Sequence, residues 1–223
     1  MDVLNLETCS KAFGSKEVLR DVCCSLHSGE VLAIFGRNGC GKSTLMNILF
    51  GTLAPDKIDM RINDKVLNLH DIRKRRLIGY LPQHSFLPGD LRVRDVVPFF
   101  LYDGGDQNKV FYAAGIPEIS AKKINTLSIG QRRYLEFLLV GNIDHAFLLL
   151  DEPFSMIEPL YKDHIKAHIK VFVEQKGILV TDHYYEDVWQ ISTKNMVMEG
   201  GILSEVESKD ELRKHGYLAR KDP

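Results

Sequence analysis

The chain has 223 residues, 44% of them hydrophobic and 26% charged, with a formal net charge of −1. That length suits one large α/β domain, or a core with a small appended lobe, burying about 70% of the unfolded surface, and it excludes two full domains. The near-zero charge excludes the global basicity of a nucleic-acid or membrane-surface binder, so partners have to be read from local features.

No apolar run approaches the roughly 18–20 residues that a bilayer crossing needs. Asp2 and Glu7 stand where a secretory leader would carry basic and then apolar residues. Cys9, Cys23, Cys24 and Cys40 include an adjacent pair and no metal-ligand spacing, which predicts reduced cytosolic thiols.

Apolar stretches of strand length recur at residues 3–6, 18–26, 31–35, 77–81, 147–150, 178–180 and 196–198. Residues 3–6 and 18–26 come too close together, across the turn at 13–16, for a helix to lie between them. They predict an antiparallel sheet flanking the main one. Residues 45–50 read as a helix. From 84 to 130 the strand pattern stops, and short helical pieces at 95–101 and 107–114, punctuated by Pro88, Gly104, Gly105 and Pro117, predict an inserted helical lobe. Val93, Val96, Val97, Phe99 and Phe100 are expected mostly in the core of that lobe, with a docking groove as their other use. The basic run Arg73 to Arg76 is expected on a solvated loop face, and no nucleic-acid partner is expected. Helical patterning returns at 131–140 and at 160–174, where Ile165, Ile169, Phe172 and Val173 share one face. Strands alternating with helices predict a largely parallel sheet covered on both sides, and the charged tail after Tyr217 is expected to fray.

The most informative segment is Gly36, Arg37, Asn38, Gly39, Cys40, Gly41, Lys42, Ser43 and Thr44, placed between the apolar stretch 31–35 and the helix at 45–50. Glycines at 36, 39 and 41 let backbone N–H groups turn inward toward phosphate oxygens, while the following helix points its positive end at the anion. Lys42 adds a point charge for the β- and γ-phosphates. Ser43 offers a hydroxyl to Mg²⁺, and Thr44 supports the α/β-phosphate side. Cys40 contributes its backbone rather than its thiol.

A second strand, 147–150, ends in Asp151 and Glu152, which puts two carboxylates at the C-terminal edge of the sheet beside that loop. Asp151 is expected to hold Mg²⁺ and Glu152 to polarise the attacking water in line with the γ-phosphate.

With Leu127, Ser128, Ile129, Gly130 and Gln131, the chain resembles the nucleotide-binding subunit of the ATP-binding cassette (ABC) transporter family over nearly its whole length. The family signature there is Leu-Ser-Gly-Gly-Gln, with Ile129 replacing the first glycine. The resemblance implies a single nucleotide-binding domain over 1–223. Its fold would be a P-loop NTPase α/β core with a mixed, largely parallel sheet and a flanking antiparallel β-subdomain, formed by 1–83 and 131–223, with a short helical subdomain at 84–130. It implies that Ser128, Gly130 and Gln131 contact ATP held by an opposite subunit in a head-to-tail dimer. It further implies that Gln83 reaches Mg²⁺ and the attacking water, that His183 contacts the γ-phosphate, and that Phe13 stacks on adenine.

Glu158 stands where the family usually carries aspartate, which bears on communication between subunits. The function implied is Mg²⁺-dependent ATP hydrolysis driving a separate membrane permease, with the chain held peripherally on the inner face of the cell membrane. The alternative is a soluble, non-transport cassette ATPase of the iron–sulfur assembly type.

Overall fold

The computed structural model describes residues 1–218. Of the tail expected to fray, Leu218 packs on the core and 219–223 lie outside the described residues. The chain opens with β1 (Val3–Phe13), β2 (Lys16–Leu19) and β3 (Cys24–His27), then runs through β4 (Val31–Phe35) into α1 (Lys42–Leu49). Next come β5 (Lys57–Ile62), β6 (Lys65–Val66), α2 (Leu69–Lys74) and β7 (Ile78–Leu81). The lobe carries α3 (Val93–Phe100) and α4 (Gly104–Phe111) and leads into α5 (Ile129–Asn142). The remainder is β8 (Phe147–Asp151), α6 (Pro159–Phe172), β9 (Gly177–Thr181), α7 (Tyr185–Trp189), β10 (Lys194–Glu199), β11 (Ile202–Glu205) and α8 (Lys209–Lys214).

Six strands form the main sheet in the order β11-β10-β4-β9-β8-β7, parallel throughout except for the β10–β11 hairpin. β4, β8 and β9 are buried along their whole length, which explains their unbroken apolar runs. Side chains alternate between two cores. Val31, Ala33, Phe35, Leu148, Leu150, Ile178 and Val180 join the core shared with the lobe and α5. Leu32, Ile34, Phe147, Leu149 and Leu179 face α1 and the antiparallel sheet. Gly130 and Gly141, about three turns apart on one face of α5, let α6 approach closely, because a methyl at either would collide with Glu158 or with Phe172.

The expected flanking sheet is present, with β1 paired to β2, β3 and β5, but residues 18–26 do not form one strand. Asp21 adopts a left-handed φ of 43° and splits the run into β2 and β3. Its carboxylate accepts hydrogen bonds from the Thr8 and Ser10 hydroxyls at 3.0 and 3.1 Å, the local satisfaction that lets aspartate hold such a turn. β5, β6 and β11 were not expected. In β5 the apolar residues Ile58, Met60 and Ile62 alternate with polar ones, so a search for continuous apolar runs passes over it. β11 follows Gly200 and Gly201, both at positive φ (56° and 82°), which form the two-residue turn of its hairpin with β10. In the lobe, Val93, Val96 and Val97 are buried as expected, whereas Phe99 is 69% exposed. Arg73 and Arg76 are exposed, and both line a groove described below.

One buried group makes stability depend on pH. His145 packs against Gly79 of β7, where a methyl would collide with its ring, and its Nε2–H donates to the Val140 carbonyl at 2.9 Å. Its Nδ1 is buried without a partner. Burial, reinforced by Lys176, pulls its pKa down to about 4, so the folded state prefers the neutral ring. The unfolded chain binds this proton first, and stability is therefore full above the unfolded value of about 6.5 and falls as pH drops toward 4. Thermal melts from pH 7 to pH 4.5 should show a loss on the order of 2–3 kcal/mol that a His145→Leu variant lacks. Parallel pH profiles for the two proteins would contradict this.

Candidate functional site

Four parallel strands deliver the predicted residues to one edge of the sheet. β4 ends in the loop 36–44, β7 in Pro82 and Gln83, β8 in Asp151 and Glu152, and β9 in Thr181 followed by Asp182 and His183. This is the carboxyl edge at which open α/β sheets bind ligands.

The loop depends on its glycines. A side chain at Gly36 would stand 2.6 Å from Cys40 Sγ and 2.7 Å from the Met198 carbonyl. Gly41, at φ 118°, caps α1 without a side chain, and the first turn of α1 carries no acidic residue. The positive end of α1 is thus unopposed by local carboxylates. The Lys42 ammonium folds back onto the Gly36 and Arg37 carbonyls at 2.6 and 3.2 Å, which spreads its charge over the loop. Ser43 is exposed and Thr44 half-buried at the mouth, while the Cys40 thiol lies 3.9 Å from Lys42 Nζ.

Asp151 is 2% exposed and accepts hydrogen bonds from the Thr181 hydroxyl at 2.8 Å and the Tyr80 hydroxyl at 3.2 Å. Glu152 has a left-handed φ of 54°, a conformation costly for a non-glycine residue, and its N–H donates to the Thr181 carbonyl at 2.8 Å. That backbone turn aims its carboxylate at three partners. Gln83 Nε2 donates to it at 2.9 Å, the Ser155 hydroxyl at 3.1 Å, and His183 Nε2 lies 2.8 Å from Oε1. Asp182, behind them, is buried and accepts the N–H groups of Phe154 and Tyr184 at 2.7 and 3.0 Å. Burial nevertheless raises its pKa.

Asn38, Gly39, Gly41, Lys42, Ser43, Thr44, Gln83, Glu152 and His183 line one cavity of about 540 Å³. Gly36, Cys40 and Asp151 are not among its lining residues, and Arg37 lines an adjoining space with Asn38, His183 and Tyr217. Phe13 stands outside the lining at the end of β1, 51% exposed, with Lys11 Nζ 5.4 Å from its ring centre. Val18, not singled out from the sequence, does line the cavity.

Ser128, Gly130 and Gln131 are not brought into this cavity. Ser128 caps α5, with its hydroxyl accepting the Gln131 N–H and the Gln131 side chain accepting the Ser128 N–H, both at 3.1 Å. Ile129, 55% exposed, faces a neighbouring cavity of about 620 Å³ that also touches Gln83, Glu152 and His183. Sequence reasoning missed Arg133. Its buried guanidinium donates to the carbonyls of Pro82, Asp151 and Glu152 and pairs with Glu136 at 3.7 Å. Only its place on α5 beside the signature motif hinted at such a role.

A family model described as ABC transporter matches residues 19–155. The sulfate/thiosulfate import ATP-binding protein CysA of Pectobacterium atrosepticum is 25% identical over 95% of this chain and 68% of its own length. The lipopolysaccharide export system ATP-binding protein LptB of Escherichia coli K12 is 28% identical over 91% of this chain and 89% of its own. Among solved structures, the ATP-binding subunit of an ABC transporter superimposes with a TM-score of 0.84 at 19% identity, covering 98% of this chain and 95% of that one. A nucleotide-free ATP-binding cassette from an ABC transporter gives 0.81 at 20% identity, covering 98% and 96%. The structural matches establish the fold, and the sequence match extends from β2 through the carboxylate-bearing end of β8 to Ser155. The chain belongs to the ABC transporter family, as one of its ATP-binding, ATP-hydrolysing subunits.

Proposed function

We propose that two cassettes close head-to-tail on ATP, each completing the other's site, and that this closure drives a separate membrane permease. The separation of Ser128 and Gly130 from the cavity holding Lys42 supports this reading best, since one chain then carries the two halves of a site at different places. Loop residues Gly36 to Thr44 bind the triphosphate, and Phe13 offers a ring for adenine. Glu152 takes the proton of the attacking water, with Gln83, Ser155 and His183 fixing its carboxylate.

Ser43 and Gln83, which line the cavity, and Asp151, buried at the end of β8, would supply a hydroxyl, an amide and a carboxylate oxygen to Mg²⁺. Among the described residues no cluster of three or more His, Cys, Asp or Glu could hold a metal alone. That fits an ion shared with nucleotide phosphates rather than caged by protein. When bound, Mg²⁺ would neutralise charge on the β- and γ-phosphates.

Among the described residues no helix is long and apolar enough to cross a membrane. The relatives named as ATP-binding proteins of import and export systems favour a permease on another polypeptide, with this chain peripheral to it on the inner face of the membrane. Between lobe and core lies a groove of about 500 Å³ lined by Phe50, Tyr80, Phe86, Phe99, Phe100 and Tyr102, with Arg73 and Arg76 at its edge. We assign it to a cytoplasmic segment of the permease. The two relatives reported above are named as import and export proteins, which favours the transport reading over iron–sulfur assembly.

A complementation assay tests the composite site. Lys42→Ala and Ser128→Arg should each abolish turnover alone. An equal mixture should recover about one quarter of native activity, because half of the dimers then hold one intact site. A mixture as inactive as its components would overturn the shared-site reading.

A further inference from the structure

Tyr80 lies on β7, the edge strand of the main sheet, and its side chain serves two places at once. It lines the groove between lobe and core beside Phe50, the two ring centres 5.2 Å apart and tilted by 45°. Its hydroxyl donates to Oδ2 of Asp151 at 3.2 Å, while Oδ1 of the same carboxylate accepts from the Thr181 hydroxyl at 2.8 Å. Strand register sets this arrangement. Asp151 stands opposite Thr181 in the β8–β9 pairing, and Tyr80 stands opposite Leu149, two residues before Asp151 and so on the same face of the sheet. Hydroxyls from the strands on either side of β8 thus hold both oxygens of the carboxylate. Thr181 is fully buried, so its hydroxyl is closed to outside influence, whereas Tyr80 is half-buried and leans on a groove. Its bond to Asp151 is also the longer of the two and exceeds the roughly 2.5–3.0 Å of a well-made O–H···O contact, so a small movement of the ring changes it.

We propose that Tyr80 is a positioning residue for Asp151, and that through it the packing of the groove sets how firmly the site holds Mg²⁺. This rests on Asp151 as a Mg²⁺ ligand, proposed above. A hydrogen bond to a ligating carboxylate keeps its metal-facing oxygen aimed, and loss of such an outer partner costs about 10- to 100-fold in metal affinity. Phe50 backs the Tyr80 ring from the groove side, so thinning that wall slackens the hydroxyl's hold on Asp151. A permease segment filling the groove acts in the opposite sense, pressing the ring home and tightening the metal site.

The test uses the Glu152→Gln protein, in which ATP persists, and compares ATP affinity in Mg²⁺ with that in EDTA by titration calorimetry. The ratio of the two is the metal's share of binding. Adding Tyr80→Phe, which keeps the ring and removes the hydroxyl, should lower the ratio about tenfold and leave affinity in EDTA unchanged. Phe50→Leu should lower it about threefold where the Tyr80 hydroxyl is present and have no effect in the Tyr80→Phe background, a non-additivity that general loosening of the fold does not produce. An unchanged ratio in Tyr80→Phe overturns the positioning role. Equal effects of Phe50→Leu in the two backgrounds overturn the link to the groove. Asp151→Asn tells the two readings apart. An unchanged ratio in that variant removes Asp151 as a Mg²⁺ ligand, and this proposal with it, whereas a lowered ratio there beside an unchanged one in Tyr80→Phe overturns this proposal alone.

Discussion

Replacing Glu152 by glutamine is expected to lower kcat for ATP about 10²- to 10⁴-fold, while the affinity for ATP stays within a few-fold of native. Glutamine has the same shape and can still accept the Gln83 or Ser155 hydrogen bond, so the loop around residue 152 keeps its geometry. What is lost is a basic oxygen. The positive φ of Glu152 places that oxygen above the cavity rather than in the protein interior, and strained backbone at such a position is characteristic of sites where the side chain's direction matters more than its stability. The binding groups are elsewhere, on the loop and the N-terminus of α1, which is why affinity and turnover should separate. Single-turnover measurements of ATP cleavage, paired with an equilibrium binding titration, read the two quantities independently. Turnover within tenfold of native would remove Glu152 as the proton acceptor and shift attention to His183, 2.8 Å away.

The parts of this site legible in the sequence were those encoded by spacing along a few residues. The glycines at 36, 39 and 41 with Lys42 and Ser43 form a local device, since strand, turn and helix follow one another without help from the rest of the chain. Asp151 and Glu152 were legible for the same reason, at the end of an unbroken apolar strand. What the sequence did not reveal depends on contacts between distant segments. Nothing near Tyr80 or Thr181 indicates that their hydroxyls both reach the Asp151 carboxylate, because that follows from β7, β8 and β9 lying side by side. Glu158 read as a longer version of a communication residue, and only the packing of α6 on α5 shows that the added methylene carries its carboxylate to Gly130. The break at Asp21 was hidden by the opposite effect, since apolar residues on both sides of it masked a turn held by hydroxyls from another strand.

Arg133 is the clearest case of a long-range residue, and its replacement by methionine should destabilise the fold by about 3–5 kcal/mol. Burial presses its pKa down, opposed chiefly by Glu136, so the guanidinium stays in place only because acceptors surround it. Methionine leaves three carbonyls at the ends of β7 and β8 without their donor, and it strands the Glu136 carboxylate at 1% exposure. For a domain of this size the melting temperature should fall by roughly 10 °C. Adding Glu136→Leu should recover part of that loss, because the orphaned charge goes with it. The recovery should not extend to activity. Glu136 also accepts hydrogen bonds from the Ser85 hydroxyl and the Phe86 N–H, and so anchors the segment that follows Gln83. Arg133 sits two residues after Gln131 on α5, so in the proposed dimer a shift of the signature helix toward the partner's nucleotide would pull directly on Pro82, Asp151 and Glu152. The double variant should therefore melt closer to native yet hydrolyse ATP slowly, a split that a purely structural arginine would not produce. Melting and kcat restored together would reduce Arg133 to a packing element.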